Sequence, residues 1–411
     1  MIWLLYYALM YLMILGIRLS SLWNPKAALW ISGRKNWKEK LKSVPNKKAF
    51  RIWFHVSSLG EFEQARPVME DLKKTNPEIE LILSFFSPSG FEIRKNYSLA
   101  TVFYLPADLP GNSEKWITAL NPDLAVFVKY DLWPGYLNTL VKRKIPFLLI
   151  SAHFRPGTLS SWSIPPASSL LKKANAIFLQ DATWVEEIKE KGFNNIRVAG
   201  DTRIDRTLTI AEEAQQYIPK NLQNSGTFDL IAGSTWEEDE RILIPVIEKL
   251  KLRAIIAPHD VSETHVSRIM HQIQVPALRL SKLTALDTSI QIIVIDNIGL
   301  LAYLYSLGKI AYVGGGFGKG IHNILEPAAH QLPVIIGPHF HKFPEAGRLI
   351  KAGAALSINN ESELLNAIGS FSGDKGLKAG ELAKSFLSKN KRATQIVTSY
   401  IRESIPFGSK S

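Results

Sequence analysis

The sequence predicts an α/β protein of two doubly wound, Rossmann-like domains facing a central crevice, preceded by an apolar helix. Three observations predict it. From residue 51 short apolar runs alternate with amphipathic stretches, as parallel strands alternate with crossover helices; the alternation lapses into a polar stretch and restarts; and the first 17 residues carry no charge. A length of 411 residues suits two or three domains, and 46% hydrophobic with 21% charged residues excludes a disordered or polytopic membrane chain. With no cysteine, disulfide frameworks, thiolate metal sites, iron–sulfur clusters and cysteine nucleophiles are excluded together.

The opening stretch MIWLLYYALMYLMILGI (1–17) would extend about 26 Å as a helix, slightly short of the roughly 30 Å hydrocarbon core of a bilayer. Trp3, Tyr6, Tyr7, Tyr11 and Trp23 suit a lipid–water interface. The basic start and small-residue cleavage site of a signal peptide are missing, so the stretch is expected to stay as an anchor. Residues 1–50 hold nine Lys and Arg against one acid, Glu39, a net +8 of the chain's +12. Basic residues directly behind an apolar segment match anionic lipid head groups and put the body on the cytoplasmic side of a membrane. No nucleic-acid motif appears elsewhere, so nucleic acid is not an expected partner. The alternative, a helix buried against the body, leaves the lysines without a purpose.

The first series of strands is read at 51–56, 80–86, 124–128, 146–151 and 176–180, with helix-like stretches at 62–74 and 136–142. The second is read at 228–234, 253–258, 290–296, 310–315 and 333–337. Residues 211–227 between them are polar and carry Pro, Asn and Gly, the composition of a linker. The expected division is 1–50 as anchor and basic membrane-facing segment, 51–210 as first domain, 211–227 as linker and 228–411 as second domain.

Polar residues gather where strands end. In HVSSLGEFEQARP (55–67) a helix is expected to begin near Glu61, where the helix dipole favours an ionised carboxylate. Glu61 is then either a general base or only a favourable first-turn acid. FVKYDLWPG (127–135) brings Lys129, Tyr130, Asp131 and Trp133 to the same sheet edge, as site or as packing turn, and VAGDTRID (198–205) supplies Arg203, as anion contact or as salt bridge. In YVGGGFGKGIHNILEPAAHQLPVIIGP (312–338) a strand feeds five glycines in seven positions, and a helix is expected from about Asn323 with Glu326 on it. Such a loop lets backbone N–H groups approach a phosphate, and Glu326 is placed to bond ribose hydroxyls. The order of its glycines is neither that of a Walker loop nor G-x-G-x-x-G. GSTWEEDE, with Ser234 and Thr235, and APHD, with Pro258, His259 and Asp260, end strands in the same half. No histidine spacing argues for a metal: His259 reads as a hydrogen-bonding group, and His322, His330, His339 and His341 as polar loop and helix residues.

In order and spacing these motifs resemble the bacterial 3-deoxy-D-manno-octulosonic acid (Kdo) transferases of lipid A and lipopolysaccharide biosynthesis. The resemblance runs from the apolar start through S-x-G-E, L-W-P, the G-S-T-x-E segment and the glycine loop with H-N-x-L-E-x-A-A-H to G-P-H. It implies a GT-B-type, inverting, metal-independent glycosyltransferase that needs no cofactor. The enzyme would be monotopic on the cell inner membrane and move Kdo from CMP-Kdo to a lipid A precursor of the lipid IVA type. By the same resemblance the first domain binds acceptor and the second the CMP-sugar. Glu61 would be the base and Arg203 the transition-state stabiliser, with Pro258, His259, Gly315, Gly316, Phe317, Asn323, Ile324, Leu325 and Glu326 holding CMP. The chain departs from the family at Lys129, where an E-x-E-L-W-P pattern has a carboxylate; the position is kept as a catalytic one. Another nucleotide-sugar GT-B enzyme and a catalytically silent membrane adaptor are the competing readings.

Overall fold

The structure is a computed structural model and describes residues 1–153, 165–223, 225–284 and 289–404, so Asn224 of the expected linker lies outside it. Two compact units divide the chain: 1–203 with 392–411, and 204–391.

The first unit is built on seven strands, β1 (Arg51–Val56), β2 (Glu80–Phe85), β3 (Thr101–Tyr104), β4 (Leu124–Val128), β5 (Phe147–Ala152), β6 (Ala176–Leu179) and β7 (Ile196–Val198). Their order in the sheet is β3-β2-β1-β4-β5-β6-β7, all parallel. The second unit repeats the plan with β8 (Phe228–Thr235), β9 (Ala254–Pro258), β10 (Ala277–Arg279), β11 (Ile292–Val294), β12 (Gly308–Val313), β13 (Val334–Ile336) and β14 (Ala355–Ser357). Here the order is β10-β11-β9-β8-β12-β13-β14, again all parallel. Helices cover both faces of such sheets, which is why the central strands are buried on both sides and predominantly apolar rather than alternating. In β1 all six residues are buried, Ile52, Phe54 and Val56 in one core and Trp53 in the other.

Reversal of strand order creates a switch point between β1 and β4 in the first sheet and between β8 and β12 in the second. Loops leaving the two strands there diverge and open a site at their carboxyl ends.

Three features differ from the sequence reading. The helix Ala393–Ser404, expected in the second domain, groups with the first, where Val397 and Ile401 are fully buried in the core holding Phe54 and Phe178. The expected linker is folded: residues 214–216 and 220–222 are short 3-10 turns, and Ile218 and Leu222 are buried in a core of the second unit. The helix Ile2–Ser20 is long and apolar enough to cross a membrane by length and composition, yet it also touches the body. Tyr6 Oη donates to Asp108 at 2.7 Å, Met10 is buried and Trp3 packs on the core around Trp53, while Leu4, Leu5, Leu9, Leu12 and Leu15 stay exposed.

The basic cluster behind that helix is not uniform. Arg34 is buried, its guanidinium 3.9 Å from the Trp30 ring centroid, donating to the carbonyls of Leu105 and Phe86 at 2.8 and 2.7 Å. Burial lowers its pKa to about 9. Lys47 pairs with Asp123 at 2.6 Å. Arg34 is thus a structural cation rather than a lipid contact.

Nine of the ten tryptophans precede residue 204, so tryptophan fluorescence reports almost wholly on the first unit. Ile401→Ala is expected to lower the stability read by that signal in urea by about 2–5 kcal/mol. An effect under about 0.5 kcal/mol would deny the carboxyl-terminal helix its place in the first core.

Candidate functional site

At the first switch point, β1 ends in Ser57 and Ser58, and the helix Leu59–Thr75 begins two residues earlier than the sequence suggested. Ser58 is its N-cap, accepting the Glu61 N–H at 3.4 Å, and the Glu61 carboxylate turns back to accept the Ser57 N–H. The first bond occupies an amide that a helix start leaves unpaired, and the second ties the Glu61 side chain to the segment leaving β1. The dipole was expected to keep Glu61 ionised. Instead burial, with Asp131 beside it, outweighs the Ser57 bond and the opposing influence of Lys129 and His55, and its pKa rises to about 7. A carboxylate tuned to that value is matched to proton transfer at neutral pH.

β4 delivers its polar residues to the same edge. Lys129 has a left-handed backbone, φ 59°, uncommon for a residue with a Cβ and costing on the order of 1–3 kcal/mol where it is enforced. Its ammonium lowers the pKa of both Glu61 and Asp201. Asp131 is buried with Oδ2 2.6 Å from His55 Nε2. Trp133 donates its indole N–H to the same nitrogen at 3.1 Å and lies on Phe86, ring centroids 4.5 Å apart. The turn is fixed from below: Asp108 accepts the Gly135 N–H at 2.7 Å, and a Cβ on Gly135 would lie 2.1 Å from Asp108 Oδ1.

Arg203 is held by Asp201 in a fork, with Nε 3.1 Å from both carboxylate oxygens and Nη2 2.6 Å from Oδ2. Burial would push Asp201 up, but Arg203 and Lys129 hold it below the usual carboxylate value. Neighbouring Thr202 is buried and donates to the Gln64 carbonyl at 2.7 Å, tying this strand end to the Leu59–Thr75 helix. Glu61, Lys129 and Arg203 therefore belong to one electrostatic neighbourhood, as the motifs implied. The sequence reading missed Asp201, which orients Arg203, and His55, which it used only to mark where a motif began.

In the second unit, β8 ends in Ser234, Thr235 and Trp236, and the helix Glu237–Lys249 follows. Asp239, missed in the sequence, is the centre of this site: its carboxylate accepts from Tyr312 Oη at 2.7 Å, Gly315 N–H at 2.8 Å and Trp236 N–H at 2.9 Å. One buried acid thus fixes the ends of β8 and β12 together. Gly315 has φ 89°, and a Cβ on Gly316 would lie 2.6 Å from Gly337 Cα, so the loop and the G-P-H turn touch backbone to backbone.

The loop differs from the open phosphate cradle expected. The N–H groups of Gly314, Gly315, Gly318 and Gly320 bond Gly233, Asp239 and, for the last two, the Gly315 carbonyl. The helix starts at Leu325 rather than Asn323 and spans only Leu325–Ala329. Asn323 Nδ2 donates to Glu326 at 2.9 Å, while its Oδ1 accepts the Leu325 N–H, so the side chain orients Glu326; Ile324 and Leu325 are core residues, and Phe317 is partly buried. Pro258 closes β9 and is buried.

His259 and His322 join Trp236 in a stack of rings. Their rings stack with centroids 4.4 Å apart, Trp236 stacks on His259 at 4.6 Å, and the Trp236 indole donates to His322 Nε2 at 3.0 Å. Desolvation lowers both pKa values, that of His322 to about 4, so the rings are neutral at pH 7. A neutral aromatic platform suits a flat heterocycle.

Two doubly wound parallel sheets, each with its polar groups at the switch point, define a two-domain protein of the GT-B type. Solved structures agree on the fold: MurG of Acinetobacter baumannii matches with TM-score 0.55 and 14% identity over 86% of this chain and 99% of that one. The UDP-GlcNAc 2-epimerase of Neisseria meningitidis matches with TM-score 0.53 and 16% identity over 86% and 99%. Residues 35–206 match the family model described as 3-deoxy-D-manno-octulosonic-acid transferase (kdotransferase). The chain is 26% identical over 333 residues to the 3-deoxy-D-manno-octulosonic acid transferase of Rickettsia bellii, 78% of each chain. Over these spans the chain is similar to the Kdo transferases, the resemblance its motifs carried.

The folded protein keeps the Glu61 proton up to about pH 7, whereas the reference carboxyl releases it near 4.5, so rising pH through that window costs stability. Glu61→Gln removes the cost. Its Tm is expected to exceed the parent's at pH 8 and nearly equal it at pH 5; an equal difference at both values would mean that Glu61 is not desolvated.

Proposed function

We propose that the protein is a glycosyltransferase that moves Kdo from CMP-Kdo to a sugar hydroxyl of a lipid A precursor, with inversion at the anomeric carbon and release of CMP. The observation that carries the reading is the carboxyl of Glu61, raised to about 7 at the β1 switch point in a relative of the Kdo transferases. In this reading the first unit activates the acceptor and the second holds the donor.

Glu61 takes the proton of the acceptor hydroxyl as its oxygen attacks the anomeric carbon. The bond from that carbon to the phosphate oxygen breaks, and CMP leaves with the electron pair. Arg203, held in its fork by Asp201, is in this reading the cation that stabilises the developing charge, a role in which fixed donors outperform mobile water. Lys129 offers an ammonium where relatives of E-x-E-L-W-P type offer a carboxylate, and Asp131 keeps the acidic place two residues on. On the donor side, the platform of Trp236, His259 and His322 stacks on the pyrimidine, Glu326 bonds the ribose and Gly315 to Phe317 border the phosphate. The apolar face of Ile2–Ser20 and the exposed lysines behind it suit the cytoplasmic face of the inner membrane and its anionic lipids.

The test is CMP release by the detergent-solubilised protein given CMP-Kdo, with and without a tetraacylated lipid A precursor. Acceptor-dependent release is expected, reduced about 10²- to 10⁴-fold in Glu61→Gln. The parent's kcat/KM should fall tenfold per pH unit below about 7, because only ionised Glu61 accepts a proton. Protection of the donor site by UDP as well as by CMP would overturn the donor assignment, and release that survives Glu61→Gln would overturn the base.

A further inference from the structure

The loops that follow β2 and β3 are gripped from two sides. From one side come residues of the amino-terminal segment. Tyr6, on the helix Ile2–Ser20, donates its hydroxyl to Asp108 Oδ2 at 2.7 Å, and Arg34, the last residue of the helix Pro25–Arg34, donates to the carbonyls of Phe86 at 2.7 Å and Leu105 at 2.8 Å. From the other side come the L-W-P turn and the helix Pro134–Lys142 that it starts. The Gly135 N–H donates to the same Asp108 Oδ2 at 2.7 Å, and Tyr136 Oη donates to the Pro106 carbonyl at 2.9 Å. The Trp133 ring lies on Phe86, whose ring centroid is also 4.8 Å from the Arg34 guanidinium carbon.

At Asp108 the two sides meet on one atom. The residue is 1% exposed, and among the described residues its other oxygen, Oδ1, has no hydrogen-bond partner. Tyr6 and Gly135 are therefore the two donors that compensate a carboxyl group taken out of water. A buried carboxyl left on a single donor is drawn toward any water it can reach, at the expense of the bond that remains. Gly135 lies so close, with a Cβ there falling 2.1 Å from Oδ1, that a shift of the carboxyl group is transmitted to the turn. Phe86 is the second meeting point, its backbone held by Arg34 and its ring covered by Trp133.

We propose that Tyr6 and Arg34 are positioning residues of the first site, seating the L-W-P turn through Asp108 and Phe86, so that the amino-terminal helices are a working part of the site as well as an attachment to an apolar medium. Neither residue touches substrate. The segment they seat carries Lys129, Asp131 and Trp133, and Trp133 reaches back to His55 on β1 at 3.1 Å, so its seat sets how the polar residues after β4 stand against β1. The proposal rests on the reading of the first unit as the one that activates the acceptor, and adds what holds half of that site in place.

Two conservative variants of the full chain test it. Tyr6→Phe keeps the ring and removes the hydroxyl; Arg34→Lys keeps the cation and removes the fork to two carbonyls. In detergent solution, amide hydrogen exchange over residues 131–137 is expected to run about threefold to tenfold faster in each, with exchange over β6 unchanged. The kcat for CMP release is expected to fall by a similar factor while KM for CMP-Kdo holds, because the donor is assigned to the second unit. A helix that serves only to attach the protein to a membrane predicts parental exchange and parental kcat in detergent, and that result would overturn the proposal. Faster exchange spread equally over β6, or faster exchange at 131–137 with an unmoved kcat, would overturn it as well. Should Arg34→Lys fail to fold, Tyr6→Phe alone decides. If exchange changes as expected while the parent does not turn over CMP-Kdo, the positioning stands and the assigned reaction falls.

Discussion

A strand buried on both faces can offer polar chemistry only at its ends, and in a parallel sheet those ends point one way. Nearly everything in this protein follows from that constraint. β1, β4, β8 and β12 are largely apolar, and most of the residues able to move protons or bind charge lie at or just beyond their carboxyl ends. Where strand order reverses, two such ends lie side by side and their loops part. Glu61 follows β1 and Lys129 follows β4; Trp236 follows β8 and the glycine loop follows β12. The left-handed backbones of Lys129 and Ser234, at φ 59° and 54°, stand where the chain must leave the sheet abruptly to serve these sites.

The two sites solve different electrostatic problems. The first concentrates polar groups: Glu61 and Asp201 lie among Asp131, Lys129, Arg203 and the His55 ring, and the proton affinities of Glu61 and Asp201 depend on those neighbours. That arrangement suits a step in which a proton and a negative charge are moved. The second site keeps its rings neutral and confines its strongest interactions to the frame, where Asp239 holds three donors from both strand ends. Asp239 is buried with its pKa raised by desolvation, in spite of the three bonds it accepts. A frame of this kind presents shape and flat surface rather than charge, which suits recognition.

The amino-terminal fifty residues combine two roles that composition had merged into one. Most of their lysines remain outside. Arg34 instead fills an internal socket of carbonyls and aromatic rings, and Tyr6 anchors the apolar helix through Asp108, the carboxylate that also caps the L-W-P turn. Burial raises the Asp108 pKa to about 6. One side of the helix is thereby committed to the body and the leucine-rich side is left for another apolar medium.

The sequence alone determined the fold class and its central strands, because a strand buried on both faces needs an unbroken apolar run, and such runs are visible one residue at a time. All ten strands read in that way are present. The four it missed, β3, β7, β10 and β14, are the four sheet edges, three or four residues long and half exposed, where no continuous run is required. It also singled out Glu61, Lys129 and Arg203 as candidates, since motif order is visible in the chain. Only the tertiary structure decided how those groups behave: that burial beside Asp131 overrides the helix dipole at Glu61, that Asp201 forks Arg203, that Asp239 ties two strand ends, and that His259 and His322 stack. Proton affinity and orientation are properties of neighbours brought together across the sheet, and those neighbours lie tens of residues away in the chain.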